Sequence, residues 1–294
     1  FLCLPEAHSE EMRIPAAIHI HSNFSNGNYS IEQLAALAKI DDIKVLIVTD
    51  SALRKWRYGL PPFRNVIRKT VQENSILKFG AERYLKEIRR ANEIYPEVII
   101  IPGAEVSAFY YWTGNALKGD LTIHDWHKHM LLIGLKRPAD YNALPLVSNG
   151  FYQLNRKSRF DQYHGEKGIL PYQDLIDHAN NGGMLTFWAH PEASFVDKIG
   201  KVKIETQPHE DDLLNSKGYT GFAVFYEGYE VIAQPGGQWD KALKEYCEGK
   251  RQNPVWAIGE LDYLGEGVND TWLNSVQTVL ILDELNEAAV LDAI

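Results

Sequence analysis

Short apolar runs recur along this chain, each followed by a more polar, helix-like stretch, which is the pattern of a parallel sheet wrapped by helices. The predicted strands cover 14–20, 44–49, 98–101, 130–135, 184–189, 221–226 and 255–258. Ser30, with Gln33 three residues later, is a capping-box signature that opens a helix through about Lys39. Pro171 opens a second helix that Gly182 and Gly183 close. Further helices are expected over 82–94, 239–248 and 271–287. No internal repeat or low-complexity linker interrupts the series, so 14–294 reads as a single barrel-like α/β domain behind an N-terminal segment, 1–13. The stretches 110–129 and 138–168 are rich in Tyr, Trp, Asn and Gly, lack periodicity and read as loops. Loops of that length commonly serve as lids or binding surfaces.

With 294 residues and 45% hydrophobic composition the chain can bury a full core. Its net charge of −9 argues against a groove for nucleic-acid phosphates, which needs clustered Lys and Arg. Cations do gather over 54–69 and 83–90, where the expectation is a solvated helix face. Only Cys3 and Cys247 are present, so neither a disulfide framework nor a paired-cysteine metal knuckle is available, and any metal must use His and carboxylate. No run of about 18 apolar residues occurs, so no membrane-spanning segment is expected. The chain opens at Phe1 without Met, as the remnant of a secretion signal or a cut chain would, which leaves a cytoplasmic and an exported protein both open.

The residues that follow the strands carry the chemistry. His19 and His21 end the first strand, and side chains two apart in an extended chain point to one side, so both imidazoles can converge on one ion. Asp50, Glu105, His190, Glu227, and Glu260 with Asp262 follow later strands. Nearly every strand thus delivers a ligand or acid/base group to the carboxyl end, where barrel active sites form. Asp50, Glu227 and Glu260 are the candidate catalytic acids and bases. His129 precedes its strand, which is expected to run opposite to the others. His124, Asp125 and His127 lie close by, and His129 is favoured because it adjoins the apolar run. Each position alone is more often a helix cap or a satisfied core group; their joint placement favours a site.

These residues resemble the polymerase-and-histidinol-phosphatase (PHP) domain family of metal-dependent phosphoesterases. The matching pieces are Ile18-His19-Ile20-His21-Ser22, Ile47-Val48-Thr49-Asp50, Gly103-Ala104-Glu105-Val106-Ser107, His129-Met130-Leu131-Leu132, Ala189-His190-Pro191 and Gly259-Glu260-Leu261-Asp262, in the family's order. The resemblance implies a distorted seven-stranded (β/α) barrel. It also implies a first metal held by His19, His21, Glu105 and Asp262, and a second held by Glu105, His129 and His190, with Glu105 bridging. Where the family supplies ligands for a third metal, this chain has Asn26, Ser51 after Asp50, and Leu264, so two divalent ions are expected. Mn, Fe and Zn all suit such donors. The last motif has one extra residue between Gly259 and Asp262, which leaves Glu260 as the alternative ligand there.

The expectation is therefore a two-metal phosphoesterase acting on a small phosphorylated molecule through activated water. Lys and Arg near the face would hold the phosphate, without the sequence choosing among them. The alternatives are a metal-dependent hydrolase of C–N or C–O bonds, and a non-catalytic binding module of the same fold. Tyr110, Tyr111 and Trp112, just past the Glu105 motif, offer stacking faces, although core or lid packing is the preferred reading.

Overall fold

In the computed structural model, residues 11–149, 161–225 and 231–294 are described. Most of the expected N-terminal segment, and Glu227, lie outside them. The strands are β1 (Met12–Ile20), β2 (Val45–Val48), β3 (Lys55–Gly59), β4 (Arg68–Gln72), β5 (Ile99–Val106), β6 (Tyr111–Thr113) and β7 (Thr122–His124). They continue with β8 (Met130–Ile133), β9 (Leu185–Trp188), β10 (Phe195–Ile199), β11 (Val202–Thr206), β12 (Gly221–Phe225), β13 (Trp256–Gly259) and β14 (Thr278–Leu282).

All seven predicted strands form, and with an eighth, β14, they lie side by side in the order β13-β12-β9-β8-β5-β2-β1-β14. β8 runs antiparallel to both β5 and β9, as its position after His129 led one to expect. The first strand also meets the far end of the sheet. Leu261 N donates to Ile18 O at 2.9 Å, Tyr263 N to His19 O at 3.0 Å, and His21 N to Tyr263 O at 2.9 Å. These bonds bring the chain just after β13 onto β1, so seven strands form a nearly closed barrel with β14 as an added eighth strand.

β14 corrects the sequence reading, which placed 278–282 inside a helix. The run Thr-Val-Leu-Ile-Leu is β-branched and short, and it alternates buried Leu280 and Leu282 with exposed Val279 and Ile281. It pairs antiparallel with the first half of β1. Thr278 ties it to β13, its Oγ1 accepting from Gly259 N at 3.0 Å and donating to Gly259 O at 3.1 Å.

Side-chain alternation splits the core in two. Ala16, Ile18, Val45, Ile47, Ile101, Leu131, Ile133, Phe187, Ala189 and Ile258 form one buried cluster, joined by Leu280, Leu282, Val290 and Ile294. Ala17, Leu46, Val48, Ile100, Leu132, Trp188 and Phe222 belong to the other, which includes the helices. The first cluster fills the barrel, and its last four members, from β14 and the C-terminal helix Glu287–Ala293, form its floor. The opposite mouth is left to polar residues.

Helix Ile31–Ile40 carries the expected capping box of Ser30 and Gln33, and helix Leu170–Gly182 ends on Gly183 in the left-handed region. The basic residues over 83–90 do lie on a helix, Ala81–Ile94, whose Tyr84, Leu85 and Ile88 are buried while Arg83, Lys86, Arg89 and Arg90 are exposed. The basic stretch over 54–69 does not. It builds the antiparallel hairpin β3–β4. The stretch over 110–129 also departs from the loop reading: β6 and β7 join β10 and β11 in a four-stranded sheet. Tyr110 and Trp112 are buried there, 1% and 5% exposed, so core packing is their role. No helix among the described residues is long and apolar enough to cross a membrane.

Candidate metal centre

The parity that fills the barrel with apolar residues places Glu105 on the interior side, four residues beyond Ile101, and His129 two before Leu131. His19, His190 and Asp262 leave regular strand geometry, with φ of 68°, 30° and 42°. At His19 the β1–β2 register shifts between Ile18 and Ile20. Positive φ is uncommon outside glycine, and three such residues at one barrel mouth mark backbone bent to aim side chains.

Those side chains converge. Ligand atoms of His19, His21, Glu105 and Asp262 all lie within 4.8 Å of one another, as do those of Glu105, His129 and His190. His21 Nε2 stands 3.2 Å from Asp262 Oδ1, His19 Nε2 3.4 Å from Glu105 Oε1, and His129 Nδ1 2.6 Å from Glu105 Oε1. His129 Nδ1 and His190 Nε2 are 3.3 Å apart. Donor atoms about 2.0–2.2 Å from one cation are about 3–3.5 Å from each other in tetrahedral or octahedral arrangements, which most of these separations match.

The hydrogen-bond partners fix what the ring nitrogens can do. His19 Nδ1 lies 2.7 Å from Glu260 Oε2, and a carboxylate only accepts, so Nδ1 carries a proton and Nε2 is the nitrogen turned to the cluster. Ser25 Oγ gives its hydrogen to Asp50 Oδ1 at 2.5 Å, so it accepts from His21 Nδ1 at 3.0 Å, and His21 Nε2 is turned to the cluster as well. The two Nε2 atoms nevertheless face each other at 3.2 Å. Two ring nitrogens at that distance need a proton or a metal ion between them. Burial works against charge on His19, but Glu260 and then Asp262 outweigh it and raise its pKa well above the usual value. His190 is opposed by burial too, yet its bond to Glu105 and the charges of Glu260 and Asp262 lift it to about 8. Although burial disfavours its charge, Glu105 is held well below the carboxylate range, chiefly by His129. The pocket is built for cations, and the residues present fit a pair of metal ions bridged by Glu105.

Two of the predicted acid/base residues take positions behind these ligands. Besides holding His19, Glu260 accepts from His190 N at 2.9 Å and is 2% exposed. Asp50 is fully buried and accepts from Ser22 N at 2.8 Å, Ser22 Oγ at 2.6 Å and Ser25 Oγ. Burial pushes its carboxyl up, and the charge of His21 and the serine hydrogen bonds work the other way. Of the two candidate carboxylates, Asp262 joins the cluster and Glu260 stands behind His19. Ser22 and Ser25 escaped the sequence reading, and the only signal for Ser25 was a hydroxyl four residues past His21. Ser51 donates to Glu105 Oε2 at 2.9 Å, so the residue that departs from the family pattern steadies the carboxylate at the centre of the cluster.

Over the cluster opens a cavity of about 290 Å³, lined also by Asn26, Arg54, His127, Phe195, Leu264 and Asn269. The ring of His127 lies tilted by 38° against Phe195, centroids 3.7 Å apart, and burial, then His129, drives its pKa down to about 2. His124 lies off the cluster, on the outer sheet, 2.7 Å from Thr113 Oγ1.

The model of the PHP domain matches residues 17–209. This chain belongs to the PHP domain family. The match spans four of the five elements that carry the cluster, the exception being the Glu260–Asp262 segment, and the barrel is of PHP type. Among solved structures, the PHP chain is similar to a two-domain protein from Bacteroides vulgatus containing a predicted PHP-like metal-dependent phosphoesterase, at 14% identity and TM-score 0.49, over 96% of this chain and 62% of that one. It thus spans less than two thirds of that protein's length. A protein from Bifidobacterium adolescentis, named as a candidate metal-dependent phosphoesterase, matches at 13% identity and TM-score 0.48, over 97% and 96%. An amidohydrolase from Chromobacterium violaceum, with bound sulfate and no metal, matches at 12% identity and TM-score 0.41, over 87% and 89%. No curated protein sequence matches the chain.

Proposed function

We propose that this PHP chain is a two-metal phosphoesterase for a small phosphorylated substrate. The observation that carries the reading is the pair of Nε2 atoms of His19 and His21, facing each other at 3.2 Å beside a buried, ionised Glu105. His19, His21, Glu105 and Asp262 would hold one ion, and Glu105, His129 and His190 the other. When bound, two divalent cations acidify water near neutral pH and offset the charge that builds on phosphoryl oxygens during in-line displacement. The protein's own contribution is orientation. Glu260 fixes the His19 tautomer and the His190 backbone together, and Asp50 fixes His21 through Ser25, so both act on the ligands and not on the substrate. Glu105 carries the shared negative charge that lets two cations sit close.

The test pairs elemental analysis of protein purified with Mn, Fe or Zn with a panel of phosphate esters, amides and carboxylic esters. About two ions per chain and turnover of phosphate esters are expected. Turnover confined to amides or carboxylic esters would replace this reading with hydrolysis of C–N or C–O bonds, and no turnover with intact metal would point to a binding module. Three tightly held ions would overturn the assignment of Asn26, Ser51 and Leu264 to a vacated third position.

A further inference from the structure

Of the residues lining the cavity, Arg54 is the sole Lys or Arg among those described. It sits where the β3–β4 hairpin opens, its carbonyl accepting from Glu73 N at 2.8 Å. Strand pairing thus sets Arg54 opposite Glu73, and the side chains follow suit. Arg54 Nε and Nη2 meet Glu73 Oε2 at 2.7 and 2.6 Å. These contacts pin one edge of the guanidinium, and Nη1 has no hydrogen bond or ion pair among the described residues. The side chain is 21% exposed, enough to meet a ligand and too little to swing freely.

The electrostatics say what such a group is for. Glu105 and Asp262 on the cavity wall would offset part of the charge of two bound cations, so a fixed cation on the same wall adds attraction that an anionic substrate can use. Arginine presents a planar fork that matches phosphoryl oxygens, and pinning it in advance removes much of the ordering cost. Apart from the histidines, the lining carries no second cationic side chain among the described residues: Asn26, Asn269 and Ser194 are neutral and polar, while Ala193, Phe195 and Leu264 are apolar. A further anionic group on the leaving alcohol would find no second Lys or Arg among the described residues of this wall to neutralise it.

We propose that Arg54, held by Glu73 at the base of the hairpin, binds the phosphoryl group and limits the site to small phosphomonoesters whose alcohol part carries no other negative charge. This rests on the phosphoesterase reading above. The experiment uses the metal-loaded protein, with phenyl phosphate and 4-carboxyphenyl phosphate as substrates and inorganic phosphate as the ligand in calorimetry. Arg54→Met should raise KM for phenyl phosphate and the Kd for phosphate together, by about 10–100-fold, with metal content unchanged and kcat less affected. Arg54→Lys should recover part of the loss, since it keeps the charge and loses the fork, and Glu73→Gln should fall between. The wild type should prefer phenyl phosphate to its carboxylate analogue by about tenfold or more in kcat/KM.

Wild-type phosphate affinity in folded Arg54→Met with its metals in place would overturn the inference. If that variant does not fold, equal affinity in wild type and Arg54→Lys would do the same. Phosphate binding that depends on Arg54, without turnover of any phosphate ester, would uphold this inference while the phosphoesterase reading fails. A wild type that binds no phosphate would sink both.

Discussion

The two ends of the barrel use the same eight-stranded sheet in opposite ways. The floor is apolar, with Leu280 and Leu282 from β14 packed beside Val290 and Ile294. The mouth gathers buried His19, His21, Asp50, Glu105 and Glu260, and three of its residues have positive φ. Apolar burial at the floor stabilises the fold without specifying chemistry. Desolvated carboxylates and bent backbone at the mouth cost stability, which the floor must offset and a bound cation would partly return. The comparison predicts that substitutions at the two ends will fail differently: those at the floor in folding, those at the mouth in metal content.

The largest effect is expected at Glu105, the one proposed ligand shared by both ions. Glu105→Gln should lower turnover on the order of 1000-fold or more, about 4 kcal/mol in barrier, and weaken both ions in a metal titration. Retention of both ions at wild-type affinity would break the bridging assignment. At the other end, Leu280→Ala should cost about 2–5 kcal/mol in denaturant unfolding while leaving kcat and metal content as they were. Loss of metal in that variant would show that floor and mouth are not separable.

Glu260→Gln should sit between, because it touches both ends of the argument without touching an ion. Freed from its carboxylate, His19 can adopt the wrong tautomer, and metal affinity should drop about 10–100-fold with a small change in stability. His124→Ala, on the outer sheet, is the control that should move neither quantity.

The smallest effect concerns pH. His209 is buried beside Trp188, and burial, then Lys128, holds its pKa well below 6.5. Between that depressed value and 6.5 the unfolded chain binds a proton that the folded one refuses, so stability is full above 6.5 and is lost as pH falls through that window. Urea unfolding at pH 7 and pH 5 should therefore differ more in wild type than in His209→Met; equal differences would remove His209 from the account.

The barrel strands were legible in the sequence because each is a short apolar run bounded by a polar change, and the members of the His and carboxylate cluster because residue type and strand-end position coincide. β14 was lost because four apolar residues beside a helical segment carry no decisive period. The hairpin and outer sheet were lost because strands of three to five mixed residues, such as Tyr111–Thr113 and Lys55–Gly59, give alternation too little length to register. Asp50 exposes a different limit. A carboxylate after a strand looks the same in sequence whether it faces the cavity or turns back to hold two serines. Arg54 illustrates another, since its partner Glu73 is nineteen residues away and only the pairing of β3 with β4 brings them together.

The positive φ at His19, His190 and Asp262 has a practical corollary. An L-residue held there costs about 1–2 kcal/mol relative to one in a right-handed conformation, whatever its side chain, whereas glycine takes such angles freely. Alanine, the customary deletion, would keep that backbone strain while removing the interactions that hold it in place, and so would mix a folding defect into the loss of a ligand. His190→Gly relieves the strain and empties the imidazole's space, leaving room for imidazole added to the buffer to take up the vacated ligand position.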